Sequence, residues 1–232
     1  MRLITLGDSV TNGDWNWPGP LSKKLNCELI NLAIPGAQNY TLIQIMQDFL
    51  LNNDLRSDDI VIWEIAYSWK PKVRLGIEYL EEAENIEQSM KQNNSVYQHY
   101  AITPYKNLVD KKHRIDLIDI SPMLERFVRL ELPRDRANTL QNLLFMFNVI
   151  KMMCPNLLII QAKKEFIRKD ELWIRMKEIF TEKDIAFLDD GIIDWCEKNN
   201  LDFHDPLHPT QRSMYIYAMH VLYPKLRELG WI

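Results

Sequence analysis

At 232 residues the chain can bury one substantial core, and nothing in its length requires two domains. With 47% of residues hydrophobic and 26% charged, it has the balance of an ordinary globular protein without bias towards disorder. A net charge of -4 argues against a nucleic-acid partner or an anionic membrane surface, because such binders are normally basic, and favours small or neutral substrates.

The first element is an apolar strand over Arg2 to Leu6, which stops at Gly7-Asp8-Ser9 and continues as loop through Val10-Thr11-Asn12-Gly13. Pro20 to Asn26 reads as a short helix and Glu28 to Leu32 as a second strand, ending in a loop with Pro35 and Gly36 at its centre. Apolar spacing at Leu42, Ile45, Met46, Phe49 and Leu50 predicts a helix over Thr41 to Leu51. Ile60 to Ile65 is a β-branched run of the kind found in buried parallel strands.

Residues from 70 to about 115 break this rhythm and read as an insertion after the third strand, either a lid or pocket wall or else a solvated helical appendage or dimer contact. Helical patterning resumes over Ser121 to Arg129 and Arg134 to Met153, where Pro155 stops it. A fourth strand (Leu157 to Gln161), a helix (Lys169 to Phe180), a fifth strand (Ile185 to Leu188) and a short helix (Gly191 to Asn199) follow. Leu201 to Pro209 reads as a loop, and a final helix runs from Thr210 to about Leu229. Alternating strands and helices predict one α/β domain with a doubly wound sheet.

No run reaches the ~18 apolar residues of a membrane span, and the opening apolar run is too short for a signal peptide. Cys27, Cys154 and Cys196 are odd in number, far apart and without C-x-x-C spacing, which fits reduced thiols and a cytoplasmic location.

A serine where a buried strand stops is exposed on the rim of the sheet, and Gly7 permits a sharp turn before it. Serine is a poor nucleophile until a base takes its proton, so Ser9 needs a histidine. Of the five histidines, His99 and His113 fall in the insertion and His220 inside the last helix. His208 stands between the last strand and the last helix, on the rim where doubly wound folds place their sites. Asp205, three residues earlier, is placed to fix its tautomer.

Ser9, Asp205 and His208 are therefore a candidate triad. The same segment admits a metal site built from His204 and His208 with Asp202 or Asp205, although Pro206 interrupts the regular helix on which H-x-x-x-H binds best. A structural polar loop is the third reading. For the negative oxygen of a tetrahedral intermediate, the N–H groups of Ser9 and Gly36 are candidate donors. Gly36 also reads as a plain tight turn.

These features together resemble the SGNH (GDSL) hydrolase family: GDS after strand one, N-x-x-x-x-G from Asn31 to Gly36 after strand two, and D-x-x-H-P from Asp205 to Pro209 before the last helix. The resemblance implies a three-layer α/β/α fold with a flavodoxin-like parallel sheet of about five strands. It implies Ser9 as nucleophile, His208 as base, Asp205 as orienting acid, and the Ser9 and Gly36 amides as oxyanion donors; neither a metal nor a cofactor is expected. One block departs. Where the family places G-x-N-D after strand three, this chain has Ala66-Tyr67-Ser68, so either Ser68 or Asn39 is the candidate substitute for the missing asparagine or the third donor is lost, as in a slow, specialised or inactive member.

Trp15, Trp17, Trp63, Tyr67 and Trp69 lie in or beside the loops of the rim, where aromatic faces suit a sugar ring or acyl chain or simply wall the core, the latter reading applying above all to Trp63. The expected activity is a serine esterase that removes a small acyl group, with O-acetyl on a carbohydrate as the candidate substrate. An acyltransferase using the same triad, and a fold-retaining binding protein of weak or no activity, are the alternatives. A flavodoxin-like phosphate or FMN binder is a further rival, which leaves Asp205 and His208 without a task.

Overall fold

The computed structural model describes residues 1–13, 15–35, 37, 39–65, 132–163 and 171–232. Five strands, β1 (Arg2–Leu6), β2 (Glu28–Asn31), β3 (Ile60–Ile65), β4 (Leu157–Gln161) and β5 (Ala186–Phe187), form one sheet in the order β2-β1-β3-β4-β5. All four pairings are parallel, with Leu3 opposite Leu29 on one side and Ile60 on the other. This is the flavodoxin-like order, in which the chain winds first to one side of β1 and then to the other.

Every residue of β1, β3 and β4 is buried because helices cover both faces, which is why these strands read as continuous apolar runs. On one face Ile4, Leu6, Val61, Trp63 and Ile159 pack against Leu42 and Met46 of α2 (Asn39–Asn52), Phe147 of α3 (Leu132–Met153) and Phe180 of α4 (Glu171–Glu182). Trp63 meets Phe147 edge-on, with ring centres 5.1 Å apart. On the other face Leu3, Ile60, Ile62 and Ile160 pack against Leu21 of α1 (Pro18–Leu25), Cys196 of α5 (Ile192–Lys198) and Met214 and Tyr217 of α6 (Gln211–Tyr217). The expected three-layer α/β/α arrangement is present.

Three local features differ from the sequence expectations. Helix α1 starts at Pro18, where a missing N–H costs nothing because the first turn has no intrahelical partner for it. The segment read as a loop holds a small antiparallel hairpin, β6 (Phe203–Asp205) and β7 (His208–Pro209). The last helix is not continuous α: a π-helical turn, Ala218–Leu222, separates α6 from α7 (Tyr223–Glu228). Pro224 has no N–H to give to the carbonyl four residues back, and its ring crowds that carbonyl, so the coil widens ahead of it. The insertion expected at about 70–115 and the helix expected over Ser121 to Arg129 lie outside the described residues. Among the described residues no helix is long and apolar enough to cross a membrane.

The end of the sheet where β1 and β3 begin is tied by a buried ion pair. Arg2 donates through Nε at 3.1 Å and Nη2 at 2.5 Å to the Asp59 carboxylate, which also accepts the Arg2 and Arg56 N–H groups, each at 2.9 Å. Burial pushes the Asp59 carboxyl up, but the bonds from Arg2 and Arg56 outweigh it and hold the group below the ordinary carboxylate range. A depressed carboxyl stabilises the fold above its unfolded pKa and loses that contribution as pH falls through the folded value. Asp59→Ala, which strands the Arg2 charge, should cost about 3–5 kcal/mol in urea unfolding at pH 7, with a smaller difference at acid pH.

Candidate active site

The turn after β1 is shaped by what lies beneath it. A Cβ on Gly7 would come within 2.7 Å of Thr11 Oγ1 and 2.8 Å of Glu64 Cβ, so no larger residue fits. Asp8 then organises the turn: its carbonyl accepts the Thr11 N–H at 3.2 Å and the Asn12 N–H at 2.9 Å, and its Oδ1 accepts the Val10 N–H at 3.0 Å. Those bonds engage the Val10, Thr11 and Asn12 amides within the turn. No described residue accepts from the Ser9 N–H.

Neighbouring loops hold this turn. Asn16 Nδ2 donates to the Ser9 carbonyl at 3.2 Å, and Asn12 Nδ2 donates to the Ala33 carbonyl at 2.7 Å. Asn31, at the end of β2, accepts from Thr5 Oγ1 at 3.0 Å and from the Ala33 N–H at 3.1 Å, and donates to the Thr11 carbonyl at 3.1 Å. The Ile34 N–H donates to the Gly7 carbonyl at 3.1 Å, so the loops after β1 and β2 are clasped together.

The β6–β7 hairpin brings His208 to the turn. His208 Nε2 lies 2.9 Å from Ser9 Oγ, and His208 Nδ1 lies 2.8 Å from both oxygens of Asp205. A carboxylate at Nδ1 keeps the proton there, which leaves Nε2 as the acceptor for the serine hydroxyl. Asp205 Oδ1 also accepts the Leu207 N–H at 2.8 Å. That amide and then the imidazole hold the Asp205 carboxyl below its ordinary range, so it stays ionised. At the base of the hairpin the Thr210 N–H and Ser213 Oγ both donate to the Asp202 carbonyl, at 2.9 and 2.7 Å, which ties it to the start of α6.

No family model matches the chain, and no curated protein matches its sequence. Among solved structures it superposes on a member of the lipolytic protein G-D-S-L family from Veillonella parvula with a TM-score of 0.54 at 11% identity, covering 96% of this chain and 97% of that one. An acetyl xylan esterase from Geobacillus stearothermophilus gives a TM-score of 0.51 at 14% identity, over 99% of this chain and 94% of that one. The chain shares the α/β fold of these two proteins.

The SGNH resemblance drawn from three motifs is thus matched by topology, and the structure joins the first and last motifs directly through Ser9 and His208. Of the other candidate oxyanion donors, Asn39 is buried at the first residue of α2, while Gly36 and Ser68 lie outside the described residues, as do Tyr67 and Trp69. Trp17 requires a correction. It is fully buried, packed in the same cluster as Leu21 and Tyr217, with its Nε1–H donating to Thr11 Oγ1 at 3.0 Å, so it supports the turn that carries Ser9 and faces the core. It precedes α1, whose buried face carries it into the core. Trp15, by contrast, is 50% exposed, with its indole against Gly13.

Two residues under the turn escaped the sequence reading: Thr11 and Glu64, whose side chains are hydrogen-bonded to one another. The signal was available, since an acidic residue in a strand buried on both faces demands a polar partner. Among the described residues no group of three or more His, Cys, Asp and Glu is arranged to hold a metal ion.

Replacing Asp205 with Asn removes the charge that fixes the imidazole tautomer. Asp205→Asn should lower kcat for ester hydrolysis by roughly 10³–10⁴-fold with little change in KM, measured by steady-state kinetics at neutral pH.

Proposed function

We propose that this chain is a serine ester hydrolase that removes a small acyl group, with O-acetyl on a carbohydrate as the favoured substrate. The observation that carries the proposal is the continuous relay from Ser9 Oγ through His208 Nε2 and Nδ1 to Asp205. Ser9 Oγ attacks the ester carbonyl carbon while its proton passes to Nε2, and the Ser9 N–H faces the oxygen that becomes negative. Collapse of the tetrahedral intermediate breaks the bond to the alcohol, which leaves with the proton from Nε2. Water then attacks the acyl-Ser9 carbonyl, gives its proton to Nε2, and releases the acid with Ser9 restored.

Support for a carbohydrate substrate is chemical. Trp15, half exposed next to the turn that carries Ser9, offers an indole face of the kind on which sugar rings stack. The acetyl xylan esterase from Geobacillus stearothermophilus is a protein of this fold that acts on such an ester. If an alcohol takes the place of water in the second half-reaction, the same residues make an acyltransferase.

A panel of p-nitrophenyl esters and acetylated xylo-oligosaccharides tests both parts. Acetyl esters should be hydrolysed faster than butyryl esters, and Ser9→Ala and His208→Ala should each lose on the order of 10³-fold or more in kcat. Hydrolysis that persists in Ser9→Ala would overturn the proposal. Accumulation of an acetylated alcohol in place of free acetate, when an acceptor is added, would assign the acyltransferase.

A further inference from the structure

Glu64 is a buried titratable group that this reaction does not use. It is fully buried on β3, on the sheet face that also carries Thr11 and Trp17, and Gly7 has no side chain because this carboxyl lies against it. Its Oε2 accepts the Asp8 N–H at 3.3 Å and the Thr11 hydroxyl proton in a short hydrogen bond. Thr11 Oγ1 accepts in turn from Trp17 Nε1. A single oxygen of Glu64 therefore gathers the backbone of Asp8 and the side chain of Thr11, the residues flanking Ser9 and Val10.

The groups that bear on this carboxyl are the Asp8 carboxyl from the nucleophile turn and the Tyr217 phenol from α6. Burial first, and then the negative charge of Asp8, push the Glu64 carboxyl well above its ordinary value. Burial, with Cys196, Glu64 and Asp190 adding, raises the Tyr217 phenol as well, so it stays neutral. An ionised carboxylate buried beside a second carboxylate is far costlier than a carboxylic acid there. A hydrogen bond between the Glu64 and Asp8 carboxyl groups, which raises the Glu64 carboxyl further, requires a proton between them, while Oε2 accepts both bonds from the turn.

We infer that Glu64 is a positioning residue: a neutral carboxylic acid that clamps the turn from Gly7 to Thr11 from below and so holds Ser9 Oγ at its contact with His208. The inference rests on Ser9 being the nucleophile. Glutamine is the isostere of a protonated glutamate, with one acceptor and one donor group, whereas leucine fills the space and makes no clamp.

The test is p-nitrophenyl acetate hydrolysis by wild type, Glu64→Gln and Glu64→Leu, with kcat and KM followed across pH, beside difference infrared spectra of wild type and Glu64→Gln. Glu64→Gln should keep kcat within about threefold of wild type and superimpose on its pH profile, whereas Glu64→Leu should lose about 100-fold in kcat with KM little changed. The wild type should show at pH 7 the carbonyl stretch of a protonated carboxylic acid that Glu64→Gln lacks. A pH profile displaced in Glu64→Gln, absence of that infrared band, or equal kcat in the Gln and Leu variants would each overturn the inference. If Glu64→Leu does not fold, the Gln profile and the infrared band decide the matter. Failure of the nucleophile reading is seen separately, as a Ser9→Ala variant that hydrolyses the ester like wild type.

Discussion

Ser9 and His208 stand 199 positions apart in the chain and 2.9 Å apart in space, and that contact depends on the way the parallel sheet ends. β1 is the central turning point of the strand order, with β2 on one side and β3 on the other, so its C-terminal end is flanked by two further loops. The loop after β2 supplies the Ile34 N–H to the Gly7 carbonyl, and the end of β3 supplies Glu64 beneath the turn. The hairpin is anchored separately, by Thr210 and Ser213 on the Asp202 carbonyl at the start of α6. Two rigid supports, each fixed by its own hydrogen bonds, therefore meet at one serine–histidine contact.

The two ends of the sheet solve the burial of polar groups in different ways. Where β1 and β3 begin, a charged pair is enclosed, and Asp59 is held ionised because Arg2 and two N–H groups face it. Where they end, the groups beneath Ser9 are an indole N–H, a threonine hydroxyl and the Glu64 carboxyl, linked in one chain. The imidazole of His208 touches the ionised Asp205 carboxylate on its far side from Ser9.

Much of this was legible in the sequence. Arg2 to Leu6, Ile60 to Ile65 and Leu157 to Gln161 read as buried strands because a parallel sheet covered on both faces leaves no polar alternation. Ser9, Asp205 and His208 stood out because glycine and proline mark the turns that carry them. Trp17 misled because an aromatic residue in a loop looks the same whether it turns outward to substrate or inward to core, and only the orientation of α1 decides. Pro206 hid the hairpin, since a proline between two histidines reads as loop, and the π-helical turn before Pro224 lay inside an unbroken apolar pattern. Glu64 passed as one polar residue in an apolar run, because its partners Thr11 and Asp8 lie more than fifty residues away in sequence.

The most direct measurement of the central claim is the intact mass of the protein after treatment with a fluorophosphonate, for wild type beside Ser9→Ala and His208→Ala. The expected result is a single adduct on wild type, localised to the Ser9 peptide and absent from both variants, because only a serine whose proton is taken by His208 attacks phosphorus at a useful rate. An adduct that survives in Ser9→Ala, or none on folded wild type that the probe can reach, would contradict it.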